Sequence, residues 1–189
     1  RFMSNYSSGK MGYAIAMAAK AKGASVELIS GPVALNPITD IRTTYVETSS
    51  EMYEAVKEKV SDFDIFISTA AIADYKPANY SDTKYKKNEN NITIEFTRGI
   101  DILETISKKH KNLFTVGFAA ETNSLKENTQ QKLAKKNLDL IVGNIANHEL
   151  KLGFESDYNE VIILSNTNSK KISYDKKSNI ANKILDFIA

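Results

Sequence analysis

Asp64-Ile65-Phe66-Ile67-Ser68-Thr69, running straight into Ala70-Ala71-Ile72-Ala73-Asp74-Tyr75, is the stretch on which the reading of this chain turns. A short apolar run rich in Ile and Phe, opened by an acid and closed by hydroxyls, is the pattern of a strand buried on both faces, as in a parallel sheet. The small residues that follow fall where such a strand ends. In open parallel sheets that carboxyl edge is where ligands bind, and a chain of Ala and Ser lets a ring or a phosphate approach the backbone.

Working outward, strand and helix patterns alternate. Upstream, Ser8 is expected to cap a helix over Lys10 to Lys22 that Gly23 ends; Val26 to Ser30 and Thr43 to Glu47 read as strands. Thr48 and Glu51 form a capping box for a helix with Met52, Val56 and Val60 on one face. Downstream, 74–91 has lost all periodicity and reads as one long exposed loop, a candidate mobile flap. Ile92 to Phe96 follows as a strand, Ile102 to His110 as a helix, Leu113 to Phe118 as a strand, Leu125 to Lys136 as a helix and Leu138 to Val142 as a strand. Glu160 to Leu164 and Lys171 to Tyr174, joined by the polar turn Ser165 to Lys170, read as an antiparallel hairpin. A last helix carries Ile180, Ile184, Leu185 and Ile188 on one face. The expectation is an α/β fold, a mainly parallel sheet flanked by helices with a C-terminal hairpin. A parallel unit whose helix starts near Gly9 should follow a strand, and Arg1 to Met3 is too short for one, so the first strand is expected to be missing.

Composition narrows the chemistry. With 189 residues, 42% hydrophobic and 25% charged, the chain suits one globular domain able to build its own core. It has no Cys and two His, which excludes thiol catalysis, iron-sulfur clusters and Cys-based zinc sites. The missing cysteines fit a reducing cytosol, and a cytoplasmic location is expected. Its net charge of +2 is too balanced for a nucleic-acid or membrane surface, and no apolar run reaches membrane-spanning length. Neither nucleic acid nor membrane is expected as a partner.

Several segments gather groups suited to an anion. Ser4-Asn5-Tyr6-Ser7-Ser8-Gly9-Lys10-Met11-Gly12 sets small polar residues at a helix start, where free N–H groups favour negative charge. It is neither a dinucleotide fingerprint nor a P-loop, and an ordinary helix start reads equally well. Asp74 either holds a ligand hydroxyl or caps a turn. Lys84, Lys86 and Lys87 either close over a polyphosphate or form a solvated run, the commoner case. Phe118, in Gly117-Phe118-Ala119-Ala120-Glu121-Thr122, either stacks on a base or fills the core. Lys132 and Lys136, at i and i+4, share a helix face that a solvated surface explains as well. His110 and His148 sit in no catalytic motif.

Taken together and in order, Ser4-Asn5 with Ser7 to Gly12, Ala70 to Tyr75, Lys84-Tyr85-Lys86-Lys87, Gly117 to Thr122 and Lys136-Asn137-Leu138-Asp139 closely resemble the bacterial phosphopantothenoylcysteine synthetase family, the phosphopantothenate-cysteine ligases of coenzyme A biosynthesis. The resemblance covers nearly the whole chain. It implies a Rossmann-like, dimeric, CTP-binding ligase domain over 1–189 that joins 4'-phosphopantothenate to L-cysteine with CTP and Mg2+, through an acyl-cytidylate. Carried over by position, it implies that Asn5 meets the acyl carbonyl with Arg1 nearby, and that Lys84 reaches the nucleotide phosphates. The CTP pocket would comprise Ser68, Thr69, Ala70, Asp74, Lys84, Ile100, Asp101, Ile102, Leu103, Phe118, Lys132 and Lys136; metal ligands are not assigned. Gly99-Ile100-Asp101-Ile102 departs from the family's Asn-Pro-Asp-Ile, a change that spares backbone contacts and removes those of the Asn side chain. Such domains are often fused behind a flavin-dependent decarboxylase. The competing readings from the residues are a nicotinamide or flavin nucleotide oxidoreductase, which lacks its glycine fingerprint here, and a nucleotide-binding and dimerisation module without catalysis.

Overall fold

A computed structural model describes residues 4–79, 83, 93–121, 124–145 and 156–189. Its elements are α1 (Lys10–Ala21), β1 (Glu27–Ser30), β2 (Arg42–Tyr45), α2 (Ser49–Lys59), β3 (Ile65–Ser68), β4 (Tyr75–Pro77), β5 (Phe96–Arg98), α3 (Ile102–Lys109), β6 (Phe114–Glu121), α4 (Leu125–Lys135), β7 (Leu140–Ile145), β8 (Tyr158–Ser165), β9 (Ser169–Lys176) and α5 (Lys177–Ile188). Five strands form one sheet in the order β3-β6-β7-β8-β9. The first three run parallel and the last two antiparallel, so the sheet is mixed. β1 and β2 make a separate parallel pair, and β4 and β5 an antiparallel ribbon.

Alternation along the central strands builds two cores. Val116, Leu140, Val142, Val161 and Ile163 point to one face, where Ile180 and Ile184 of α5 cover them. Ala119, Ile141 and Leu164 point to the other, against Leu103 of α3 and Leu133 of α4. α1 and α5 lie side by side through Ile15, Ala18 and Ala181. Lys10 meets Asp157 at 2.7 Å where both helices begin, and Lys22 meets Asp186 at 2.6 Å where both end, so they run in the same direction. Val56 and Val60 pack with Ile102, Ile106 and Leu113, which seats α2 beside α3.

Local signals hold where the chemistry is local. Thr48 and Glu51 form the expected capping box, and the hairpin β8–β9 and the closing helix stand where the pattern puts them. Four expectations are corrected. The N-cap of α1 is Gly9, at φ 75° and without a side-chain cap bond, rather than Ser8. β3 is an edge strand with Ile65 42% exposed, not a strand covered on both faces, because an apolar run carries no record of which neighbours it finds. The stretch 74–91 is not one loop, since Tyr75–Pro77 is β4; residues 80–82 and 84–92 lie outside the described residues. The strand expected over Ile92 to Phe96 falls at Phe96–Arg98, because its register is set by pairing with β4, with Tyr75 opposite Arg98.

One charge sits against the fold. Lys177, the first residue of α5, is only 5% exposed. Burial, and then the nearby charge of Lys10, push its ammonium down to about 8 from the ordinary 10.5, against a pull upward from Asp157. Between those two values the unfolded chain binds a proton that the folded protein does not, so stability rises with pH across that window. Lys177→Met is expected to abolish the rise. At pH 7, allowing for screening where the side chain meets solvent, it should stabilise by about 1 kcal/mol, roughly 2–4 °C in Tm. Denaturant titrations of both proteins between neutral pH and the lysine range check it.

Candidate functional site

The parallel register sets Ser68 of β3 opposite Gly117 of β6, so the small-residue ends of both strands emerge at one edge. Four further contacts gather around that edge. The first joins α1 to β3: a Cβ at Gly12 would stand 2.6 Å from Thr69 Oγ1, so only glycine lets the first turn of the helix approach the strand end this closely. The second joins the lead-in of α1 to the loop after β3. Asn5 Nδ2 donates to the Ala71 carbonyl at 2.5 Å while its Oδ1 accepts from the Ser7 N–H at 2.9 Å. Asn5 is exposed, and an amide carries two N–H groups, so one remains beyond the Ala71 bond.

The third contact brings Asp74 to the start of α3. The β4–β5 ribbon leaves directly after Asp74 and returns at Gly99, whose N–H donates to the Asp74 carbonyl at 2.7 Å. The Asp74 side chain is exposed. Asp101 then caps α3, its Oδ1 accepting from the Glu104 N–H at 3.0 Å. The fourth contact reaches across from α4: Lys136 Nζ lies 2.8 Å from Asp101 Oδ2, and Lys132 Nζ lies 2.7 Å from Glu121 Oε1 at the end of β6. Partial burial pushes the Asp101 carboxyl up. Hydrogen bonds from Lys136 and the Glu104 N–H, with the charges of Lys136 and Arg98, outweigh it and hold the group below the ordinary carboxylate range.

Ser68, Thr69, Ala70, Asp74, Asp101, Lys132, Lys136 and Asn5 are thus brought to one end of the sheet. The remaining candidates divide. Ile100 is 46% exposed, whereas Ile102 and Leu103 are core residues, which leaves only their backbone at the helix start to meet a ligand. Phe118 is partly buried and packs on the clusters that α1 and α5 form with the sheet. Arg1 and Lys84 lie outside the described residues. Glu121 was not singled out from sequence; an acid closing a strand eleven residues before a lysine is a signal too ordinary to notice without the fold. Among the described residues no cluster of three or more His, Cys, Asp or Glu could hold a metal ion by itself; a magnesium carried by a nucleotide needs only one or two carboxylates beside the phosphate oxygens, and Asp74 and Asp101 at this edge are of that kind. Among the same residues, no helix is long and apolar enough to cross a membrane.

Residues 1–189 match the domain family described as DNA/pantothenate metabolism flavoprotein C-terminal domain. The chain belongs to that family. The coenzyme A biosynthesis bifunctional protein CoaBC of Vibrio vulnificus (strain CMCP6) is 42% identical over 98% of this chain and 47% of its own length. Its counterpart in Bacillus subtilis (strain 168) is 41% identical over 100% of this chain and 47% of its own. This domain therefore spans about half the length of the curated relatives it matches. The crystal structure of the C-terminal domain of a coenzyme A biosynthesis bifunctional protein CoaBC superposes with a TM-score of 0.83 at 38% identity, covering 100% of this chain and 85% of that one. The α/β fold with a mixed sheet between helix layers is that of the solved domain.

The close approach of Gly12 and Thr69 yields a direct test. Gly12→Ala forces the Thr69 hydroxyl aside and is expected to cost about 1–3 kcal/mol in urea unfolding. Thr69→Ala in the same chain removes the clashing oxygen and should recover most of that loss. A double variant as unstable as G12A alone would count against the contact.

Proposed function

We propose that this domain is a phosphopantothenate-cysteine ligase, the CTP-dependent enzyme that condenses 4'-phosphopantothenate with L-cysteine in coenzyme A biosynthesis. The observation that carries the reading is the meeting of Asn5, the Ser68 to Ala70 strand end, Asp101 and the two α4 lysines at one edge of the sheet, in a chain of this family. The first step joins a carboxylate oxygen of the substrate to the α-phosphorus of CTP and breaks the bond to pyrophosphate. In the second, the cysteine amine attacks the acyl carbon; a C–N bond forms, the C–O bond to the cytidylate breaks, CMP departs and the amine's proton passes to solvent. Neither step needs a thiol or an imidazole from the protein. Each gathers anions and stabilises developing negative charge, which is work for ammonium groups and neutral N–H donors.

In this reading Lys132, Lys136 and the flap residue Lys84 receive the nucleotide phosphates, with magnesium as their counter-ion, and Asp74 stands beside the nucleoside. Arg1 and Asn5 serve the acyl substrate, Asn5 through the N–H not spent on Ala71. The reading includes a cytoplasmic setting. The bifunctional relatives, about twice as long, support a fused flavin-dependent decarboxylase domain.

Incubation with CTP, magnesium and 4'-phosphopantothenate should release pyrophosphate, and CMP should appear only on addition of cysteine. A folded protein giving neither product overturns the proposal. Asn5→Asp turns the donor into a carboxylate that faces the Ala71 carbonyl. It should cost about 1–3 kcal/mol of stability, yet still release pyrophosphate. CMP release should fall by about 10²–10³, leaving an acyl-cytidylate detectable by mass spectrometry. Full turnover by N5D removes Asn5 from the second step.

A two-fold dimer belongs to the same proposal. The β4–β5 ribbon supports it better than the hairpin, whose edge strand β9 is guarded by Lys170, Lys171 and Lys176. Two strands alone are marginal in water, and Tyr75 and Phe96 of the ribbon are 62% and 38% exposed, with Ile94, just before it, 50% exposed. Sedimentation at micromolar concentration should give a dimer, and Tyr75→Asp with Phe96→Asp should give a monomer.

A further inference from the structure

We infer that Glu121 is a positioning residue for nucleotide binding, which holds the Lys132 ammonium at the carboxyl edge of the sheet. The inference rests on the nucleotide-binding reading of Lys132 and adds a residue to it. Glu121 is the last residue of β6, with its side chain 12% exposed. Its Oε2 accepts from Asn128 Nδ2 at 3.2 Å, and its Oε1, shut off from solvent, faces Lys132 Nζ at 2.7 Å outside hydrogen-bond geometry. Asn128 and Lys132 lie four residues apart on α4, so one carboxylate spans one turn of that helix and ties it to the strand end. Stability alone is a poor account of this arrangement. Lys132 is 45% exposed, and an ion pair open to water on one side is worth little, while taking the carboxylate out of water is costly.

The arrangement does settle where a long, rotamer-rich side chain rests. A free lysine must surrender that freedom when it meets a phosphate; one already held by Glu121 has done so before the ligand arrives. An ammonium carries three N–H donors and Glu121 faces it from one side only, which leaves donors for another acceptor. Asn128 in turn holds the carboxylate in place, so the ammonium can meet a phosphate without leaving Glu121.

Titration calorimetry with CTP and magnesium, on the whole chain, tests this. Lys132→Gln and Glu121→Ala should each weaken binding about tenfold, and Glu121→Gln, which keeps the acceptor and the shape, by no more than about threefold. In the Lys132→Gln background, Glu121→Ala should add nothing. Wild-type affinity in E121A beside a weakened K132Q overturns the inference alone. So does an equal loss from E121A with and without Lys132, which would make Glu121 a staple for α4 only. Wild-type affinity in K132Q overturns the nucleotide reading of Lys132, and this inference with it. Should E121A fail to fold, Glu121→Asp carries the test: it keeps the charge, draws it back by one methylene, and should weaken binding severalfold. Unchanged affinity in E121D is then the overturning result.

Discussion

Parallel pairing of β3 with β6 places Ser68 beside Gly117, and the absence of a side chain at Gly117 is what lets the layer beneath close. A Cβ there would stand 2.8 Å from both Leu103 Cδ2 and Leu138 Cδ1. Leu103 lies in the first turn of α3 and Leu138 leads from α4 into β7, so α3 seats on the strand at Gly117, while α4 itself closes on Gly143, where a Cβ would clash with Thr129 and Leu125. That seating in turn decides which polar groups meet. With α3 drawn down, Asp101 at its cap comes within 2.8 Å of Lys136, and the Ser107 hydroxyl donates to the Lys136 carbonyl at 2.5 Å. A bulkier residue at 117 would push both leucine side chains off their present rotamers and strain the seat of α3 beneath the Asp101–Lys136 contact.

α4 depends on such polar ties more than its neighbours do. It buries only Thr129 and Leu133, whereas α3 buries Ile102, Leu103, Ile106 and Ser107 over a shorter length. A helix with so thin an apolar face gains little from the hydrophobic effect. Its lateral position is set by what its exposed side grips: Glu121 through Asn128 and Lys132, and Asp101 through Lys136. The groups that would meet a ligand are therefore the same groups that moor the helix. That couples the order of α4 to whatever anion occupies the edge.

What sequence made legible follows the range of the interaction. The Thr48–Glu51 box is complete within four residues and was readable as such. The common face of Lys132 and Lys136 follows from helical period alone. β4 was not readable: Tyr75-Lys76-Pro77 contains a proline and has no alternation, and it is a strand only because Phe96-Thr97-Arg98 pairs with it from twenty residues on. The edge position of β3 escaped for the same reason, because Ile-Phe-Ile states its apolarity and not its neighbours. At the site, residue types and their order marked Asn5, Asp74 and the α4 lysines. Their partners Ala71, Gly99 and Glu121 are products of the fold. Gly9 as the cap of α1 falls between the two cases. Ser8 has the better capping chemistry, but the left-handed backbone that turns into this helix belongs to the glycine after it.

The two acid–lysine pairs are arranged so that each acid keeps a second partner when its lysine meets a ligand. Removing one partner from a partly buried ion pair is ordinarily expensive, because the other charge is left without compensation. Here neither acid is left alone. Asp101 keeps the Glu104 N–H at 3.0 Å, a bond made at the positive end of α3, and Glu121 keeps the Asn128 amide at 3.2 Å. An incoming anion can draw both ammonium groups toward itself while each carboxylate remains anchored. A single weak anion gains little from such an exchange, since it replaces one carboxylate contact by another of the same kind. On the proposed nucleotide-binding reading, a polyphosphate would engage both lysines at once and add charge that the two separated carboxylates cannot match. In that reading the pairs would thereby favour ligands with several linked negative groups over monovalent anions, by the same Coulombic terms that hold the helices in place.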